Sequence, residues 1–520
     1  MPPATHRIPR LLVITALLWG AVAAQSPEAA TARRFAALAP HPEQLWTFLD
    51  ALPKGGDLHN HLSGAVYAET LIALAAQQQL CVDRERLAFV AGPCTAGRVP
   101  AGEAFSDPVL YRSLLAALSM LGFHAGETTG HDHFFDTFGK FGAASDDVGA
   151  LLAEVARRAA RQHEVYLETM FSPDRGAAAR LGEKLGWNPD LDALRRALLA
   201  AGLRRIVAEG RANLDAAERR EHLLLHCGTP QADPACRLTV RYLYQVGRGL
   251  PPERVFAQIL AGFELASVDS RVVGVNLVMP EDGYLAMRDY TLHMQMVGYL
   301  HRLYPAVHIS LHAGELAPGM VPPEGLTFHI RQAVEIAAAE RIGHGVDVAG
   351  ESDAPQLLRE MAARHVAVEI CLTSNAVILG VEGAAHPLPI YLRYGVPLCL
   401  ATDDEGVSRS DLTAEFLRAV ATYHLTYRQL KQMARNSLEY SFLPGGSLWR
   451  AGRVGTPVAA CSDLPAAGHA TPACQRYLAL NPRAAVQGQE EEALWRFERT
   501  WSTAAAGGPR GVRGRAEKSP

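Results

Sequence analysis

Eight short runs, most of them apolar and β-branched, alternate along this chain with stretches of helical periodicity, and that alternation limits the fold more than any other feature. The runs are GGDLHNHL, EVYLETMFS, RLTVRYLYQV, RVVGVNLVM, VHISLHAGE, RIGHGVDV, VAVEICLTSN and VPLCLATDD. From the fourth run onward they recur about every 26–36 residues, close to one βα unit, with helical segments such as TFHIRQAVEIAAAE and APQLLREMAARH between them. Eight strands alternating with helices predict an α/β chain folded as a (β/α)8 TIM-type barrel.

The first interval is much longer than the rest. Residues 65–164 hold several helical patterns and the Cys81–Cys94 loop, so extra helices are expected over the C-terminal mouth of the barrel. A second insertion is expected near 210–236. The barrel is assigned to 33–445, with a helical lead-in over 33–53. Residues 446–503 form a C-terminal extension with a helix around EEEALWRFERTW. The end of the chain, 504–520, combines small residues, Gly, Pro and charges without an apolar period, which predicts disorder.

At the N-terminus, Arg7 and Arg10 precede LLVITALLWGAVAA, and small residues follow. This is the pattern of a secretory signal peptide over 1–25, cut near Ala23–Gln25, and it predicts a periplasmic or secreted protein with no stable membrane anchor after cleavage. The eight cysteines agree with export. Six form local pairs, Cys81 with Cys94, Cys227 with Cys236 and Cys461 with Cys474, each suited to a disulfide in an oxidising compartment. Cys371 and Cys399 sit in apolar runs and are expected as buried thiols. A formal net charge of −4 over 520 residues gives no basic field for nucleic acid. Oligomeric state leaves no mark in the sequence.

In barrels of this kind, function collects where strands end and the following loops begin. His59 and His61 stand two apart in the first run, so they project to the same side of a strand. The fifth run ends in His312 and Glu315, the sixth holds His344, and the eighth ends in Asp403 and Asp404. So many ionisable groups inside a barrel mouth are costly without a partner, and a divalent cation supplies one. Three imidazoles and a carboxylate suit zinc with one position left for water. Other histidine pairs fit less well. His131 and His133 diverge on a helix, and His222 and His226 have no third ligand nearby.

The motifs HNH, HAGE, RIGHGVD, TSN and ATDDE, in this order, resemble the adenosine deaminase family of metal-dependent hydrolases. NSLEYSFL and the HP of Ala385-His386-Pro387 are similar to its secreted, growth-factor-related branch. The resemblance runs from about residue 52 to 445. It implies one Zn2+ per chain, held by His59, His61, His312 and Asp403. It also implies a purine nucleoside as the small-molecule partner, attacked by water at C6. His344 would orient that water and take its proton, Glu315 would protonate N1, and Asp404 would hydrogen-bond N7. In the stretch HFFDTF, Phe134 and Phe138 share a helical face and correspond to rings laid over the purine; a packed core helix explains them equally well.

Departures from the family pattern concern the sugar. Ser63 stands where relatives carry an Asp that meets the ribose 5′-hydroxyl, Met279 where a glycine backbone approaches the purine, and DDE replaces the commoner DDP. The reaction implied is hydrolytic deamination of adenosine or 2′-deoxyadenosine to the inosine product and ammonia. Alternatives are another 6-aminopurine, such as adenine or a modified adenine nucleoside, and a catalytically silent extracellular purine-binding protein. A binuclear ester or amide hydrolase fits poorly, because no strand run after the first contains the lysine that commonly bridges two metals.

Overall fold

The computed structural model describes residues 26–126, 128–464 and 468–503. The signal-peptide segment 1–25 and the tail from 504 lie outside the described residues. All eight runs are strands: β1 (Gly55–His61), β2 (Glu164–Phe171), β3 (Thr239–Gly247), β4 (Val272–Val278), β5 (His308–Ala313), β6 (Arg341–His344), β7 (Ala367–Ile370) and β8 (Leu398–Leu400). They form one sheet in chain order, every neighbour parallel. The sheet closes just past β8, where Asp403 donates its backbone N–H to His59 O at 2.8 Å and accepts that of His61 at 3.2 Å. The fold is the expected (β/α)8 barrel.

Helices cover the outside of the cylinder, so both faces of each strand are buried; this is why the strands read as nearly continuous apolar runs. Every residue of β1 and β4 is buried. The barrel interior is not purely apolar, however. Arg341 on β6 is fully buried and bridges Glu168 on β2 and Glu369 on β7, each at 2.5 Å, and donates to Tyr440 O at 2.9 Å. This charged layer lies within the strands and anchors the polar residues at the mouth.

The 65–164 insertion contains the expected helices, among them Gly130–Phe141, and also a small antiparallel sheet of Cys81–Asp83, Ala88–Val90 and Arg98–Pro100. Three-residue strands are too short to show a period, so the sequence gives no sign of them. Expected as an insertion from 210, the second irregular region begins later. A helix runs unbroken over Leu203–Leu224, and only the turns that follow, closed by Cys227–Cys236, are extra. All three local disulfides are present, and Cys371 and Cys399 are free and buried.

The lead-in is two helices, Pro27–Leu38 and Pro42–Ala51. The last helix of the C-terminal extension, Pro482–Thr503, packs on them: Phe48 meets Phe497 and Trp501 with ring centroids 4.9 and 4.7 Å apart, and Thr31 Oγ1 donates to Glu498 O at 3.2 Å. Among the described residues, no helix is long and apolar enough to cross a membrane.

Candidate metal centre and active site

The mouth gathers the predicted donors into one buried cluster. His59 Nε2 and His61 Nε2 lie 3.0 and 3.1 Å from His312 Nε2, and Asp403 Oδ1 lies 3.5 Å from the first and 3.1 Å from the second. Among the described residues, two overlapping groups have the spacing to hold a metal: His59, His312, His344 and Asp403, and His61, Asp403 and Asp404. His131, His133, His222 and His226 belong to neither. His131 Nε2 instead meets Asp282 Oδ1 at 3.1 Å, and His133 Nε2 donates to Ser119 O at 3.1 Å.

The outer nitrogens fix what the inner ones present. His59 Nδ1 donates to Glu369 Oε2 at 2.6 Å, His312 Nδ1 to Asn276 Oδ1 at 2.8 Å, and His61 Nδ1, more weakly, to Gln245 Oε1 at 3.4 Å. With its one proton on Nδ1, each neutral imidazole turns an Nε2 lone pair inward. Converging lone pairs repel unless a cation lies among them. Burial and the neighbouring imidazoles hold His312 well below its ordinary pKa, in the neutral form that ligates metal. Burial also opposes charge on His59, yet Asp403 and Glu369 outweigh it and raise that pKa to about 10, so the local potential attracts positive charge. A tetrahedral zinc site with Zn–N of about 2.0–2.1 Å has donors about 3.3–3.4 Å apart. The measured separations of 3.0–3.5 Å and the His3Asp donor set fit zinc.

A cavity of about 280 Å3 opens beside this cluster, lined by His61, His312, Asp403 and Asp404 on one side and by Ser63, Phe134, Phe138, Met279 and Glu315 on the others. Every sequence-predicted site residue lines this cavity except His59 and His344, which belong to the donor cluster beside it. Phe135, which the spacing argument passed over, also faces the cavity. The helix that carries these rings starts at Thr129, whose side chain accepts the Asp132 N–H at 3.0 Å. Glu315 Oε1 lies 3.7 Å from His344 Nε2. Burial, with the Asp403 charge adding to it, pushes Glu315 up to about 8; burial does the same for Asp404, against the opposing pull of His61. Both carboxyls can thus hold a proton near neutral pH.

Three site residues, Met279 (φ 81°), His344 (φ 66°) and Asp403 (φ 59°), adopt the left-handed backbone conformation. Such conformations cost on the order of 1 kcal/mol or more each and tend to collect at functional sites. At Met279 the positive φ agrees with a position where the family resemblance implies a glycine. The glycine after His61 has a packing reason: a Cβ on Gly64 would lie 1.7 Å from Asp404 Oδ1.

Sequence reasoning missed a second buried network, that of Arg248, Glu281 and His329. Glu281 accepts the backbone N–H groups of Gly314 and Glu315 at 3.0 and 2.8 Å and pairs with His329 Nδ1 at 2.5 Å. Arg248 donates to Met279 O at 2.8 Å and to His312 O at 3.1 Å. Against the cost of burial, Arg248 and His329 hold Glu281 at about 2, so it stays charged and fixes the loop that carries Glu315. Three isolated polar residues in separate segments gave no spacing signal.

A closed parallel barrel with histidines and aspartates clustered at its C-terminal mouth is the arrangement of metal-dependent hydrolases. The family model for adenosine deaminase matches residues 119–447, and the chain belongs to that family. An adenosine deaminase of Escherichia coli (strain SMS-3-5 / SECEC) is 33% identical over 195 residues, covering 35% of this chain and 55% of the relative. That of Pectobacterium atrosepticum is 34% identical over 183 residues, covering 34% and 48%. The chain spans about half the length of these curated relatives. Among solved structures, an adenine deaminase from Arthrobacter aurescens (TM-score 0.50, 18% identity) covers 75% of this chain and 94% of its own. An N6-mAMP deaminase from arabidopsis (TM-score 0.50, 20% identity) covers 76% and 96%. These structures share the fold.

Proposed function

We propose that the chain is an exported aminohydrolase, with one zinc per chain, that converts adenosine or 2′-deoxyadenosine to the inosine product and ammonia. The observation that carries this reading is the placement of Glu315 and Asp404, two buried carboxyls able to hold a proton, on the wall of a cavity that also exposes the metal-capable cluster. His59, His61, His312 and Asp403 would hold the metal, which supplies a Lewis acid that makes water nucleophilic at neutral pH.

The remaining steps belong to the chain. Phe134, Phe135 and Phe138 offer apolar surface to a purine ring. Asp404 hydrogen-bonds N7, and Glu315 gives its proton to N1, so that C6 accepts the attacking oxygen. His344 holds that oxygen in line. The C6–N bond then breaks: of the water's two protons one replaces the proton Glu315 gave to N1 and the other ends on the departing nitrogen, so ammonia leaves and a C6 carbonyl remains. The burial of these polar side chains limits competition from bulk water at the reacting atoms. Ser63, at the position the resemblance places beside the ribose, offers a hydroxyl where a carboxylate would grip more strongly; a looser hold on the sugar follows. Three disulfides suit an oxidising compartment and support export.

The test is to incubate metal-analysed protein with adenosine, 2′-deoxyadenosine, adenine and N6-methylated adenine compounds, following ultraviolet absorbance and ammonia release. Adenosine or its 2′-deoxy form should have the highest kcat/KM. Turnover confined to adenine or to a methylated compound would replace the substrate. Binding without ammonia release would replace the enzyme with a purine-binding protein.

A further inference from the structure

We infer that His386 and Asn375 are positioning residues that lock the His344 ring with its proton on Nε2, making it a hydrogen-bond donor to the attacking oxygen and not the base that deprotonates it. The inference rests on the deaminase reading above for its catalytic consequence, and on hydrogen-bond polarity alone for the ring state.

The chain of bonds starts from a donor whose direction is fixed. The backbone N–H of Leu388 donates to His386 Nδ1 at 3.1 Å, so that nitrogen must carry a lone pair. In a neutral imidazole the proton then sits on Nε2. His386 Nε2 lies 3.1 Å from Asn375 Oδ1 and donates to it. This sets the amide orientation, since only its oxygen can accept. The Asn375 Nδ2 group is therefore turned to His344, and it donates to His344 Nδ1 at 3.0 Å. With Nδ1 accepting, the one proton of a neutral His344 is on Nε2, the atom that faces Glu315 and the metal-capable cluster. All three side chains are buried, at 2% exposure or less, so bulk water does not compete for these bonds.

His344 is thus the opposite of its three neighbours. His59, His61 and His312 donate through Nδ1 and present lone pairs, as ligands do; His344 accepts at Nδ1 and presents N–H. That polarity separates a donor from a ligand inside a cluster whose spacing alone would admit His344 as either. With Nε2 already protonated, the water's proton must pass to a carboxylate. Glu315, a carboxylate once it has given its proton to N1 and 3.7 Å from His344 Nε2, is the acceptor the geometry offers.

The test uses the zinc-loaded full chain and two readouts. The first is the ring-nitrogen NMR spectrum of 15N-histidine-labelled protein, with the His344 signals assigned by loss in His344→Gln. The wild type should show the Nε2–H form, and Asn375→Asp, whose carboxylate accepts from Nδ1–H, should show the reverse. The second is the split between kcat and KM on adenosine. Asn375→Asp and His386→Leu should lower kcat roughly 10²–10⁴-fold with little change in KM, because donation to the reacting oxygen is lost. His386→Gln, whose amide N–H can replace Nε2–H, should restore most of kcat. An Nδ1–H ring in the wild type would overturn the inference. So would an Asn375→Asp variant that keeps or raises kcat, the behaviour of a base strengthened by a carboxylate. A wild type that deaminates no adenine compound would overturn the proposed function, while the ring spectrum would still decide the relay.

Discussion

Glu369 Oε2 accepts the Nδ1–H of His59 at 2.6 Å, with both side chains fully excluded from solvent. The bond fixes which nitrogen of His59 faces the cluster, and the negative charge makes that nitrogen a better donor to a cation. Glu369 stays ionised despite its burial because Arg341 and His59 hold its pKa at about 2. Replacing Glu369 with Gln removes the charge while keeping an acceptor. Metal affinity should fall about 10–100-fold, read by competition with a chelator. Unchanged affinity would remove Glu369 from the account of the site.

Arg341 joins Glu168 and Glu369 inside the barrel, and its loss leaves two buried carboxylates facing each other without a cation. Arg341→Met should destabilise the fold by about 3–5 kcal/mol, measured as a shift in urea unfolding. A change within about 0.5 kcal/mol, typical of surface substitutions, would mean the charged layer contributes little.

His131 and Asp282 clasp the cavity helix to the loop after β4. The hydrogen bond to Asp282 is the main cause that raises His131 to about 9, with burial opposing it and Asp132 adding to it. A histidine pKa raised by folding contributes stability that is complete below its unfolded value of about 6.5 and is lost as pH rises through about 9. The thermal midpoint should therefore fall more steeply over this window in the wild type than in Asp282→Asn. Parallel pH profiles would show that the clasp carries no charge-dependent stability.

Cys81–Cys94 closes a short loop over the small sheet beside the cavity helix. Exchanging both cysteines for serine should cost roughly 2–4 kcal/mol, seen in thermal unfolding. Alkylating the denatured, non-reduced wild type should label Cys371 and Cys399 alone. Labelling of any of the six paired cysteines would contradict the oxidised state and weaken the case for export.

The barrel was legible in the sequence because parallel strands buried on both faces leave long apolar runs, and because site residues at strand ends interrupt them with His, Glu and Asp. The cluster of His59, His61, His312, His344 and Asp403 could be read for the same reason. What escaped is what long-range packing decides. Glu281 and Arg248 act through backbone groups of other segments, and neither forms a motif. The three-residue strands at 81–100 depend on pairing that no local period reveals. Phe135 faces the cavity beside Phe134 because the helix presents a broad face there, wider than the i, i+4 pair suggests. At Met279 a left-handed backbone was hidden behind a side chain that does not favour it.

Glu315 separates a deaminase from a protein that only binds metal and purine. Its carboxyl lies on the cavity wall, burial and the Asp403 charge push its pKa up to about 8, and Glu281 fixes its backbone. Glu315→Gln retains a hydrogen-bonding group of the same size but cannot deliver a proton. Steady-state ammonia release from adenosine should fall at least roughly 10²–10⁴-fold in kcat, with metal content and KM little changed, the pattern of an interaction lost mainly in the transition state. A Glu315→Gln protein that turns over adenosine as fast as the wild type would contradict the mechanism.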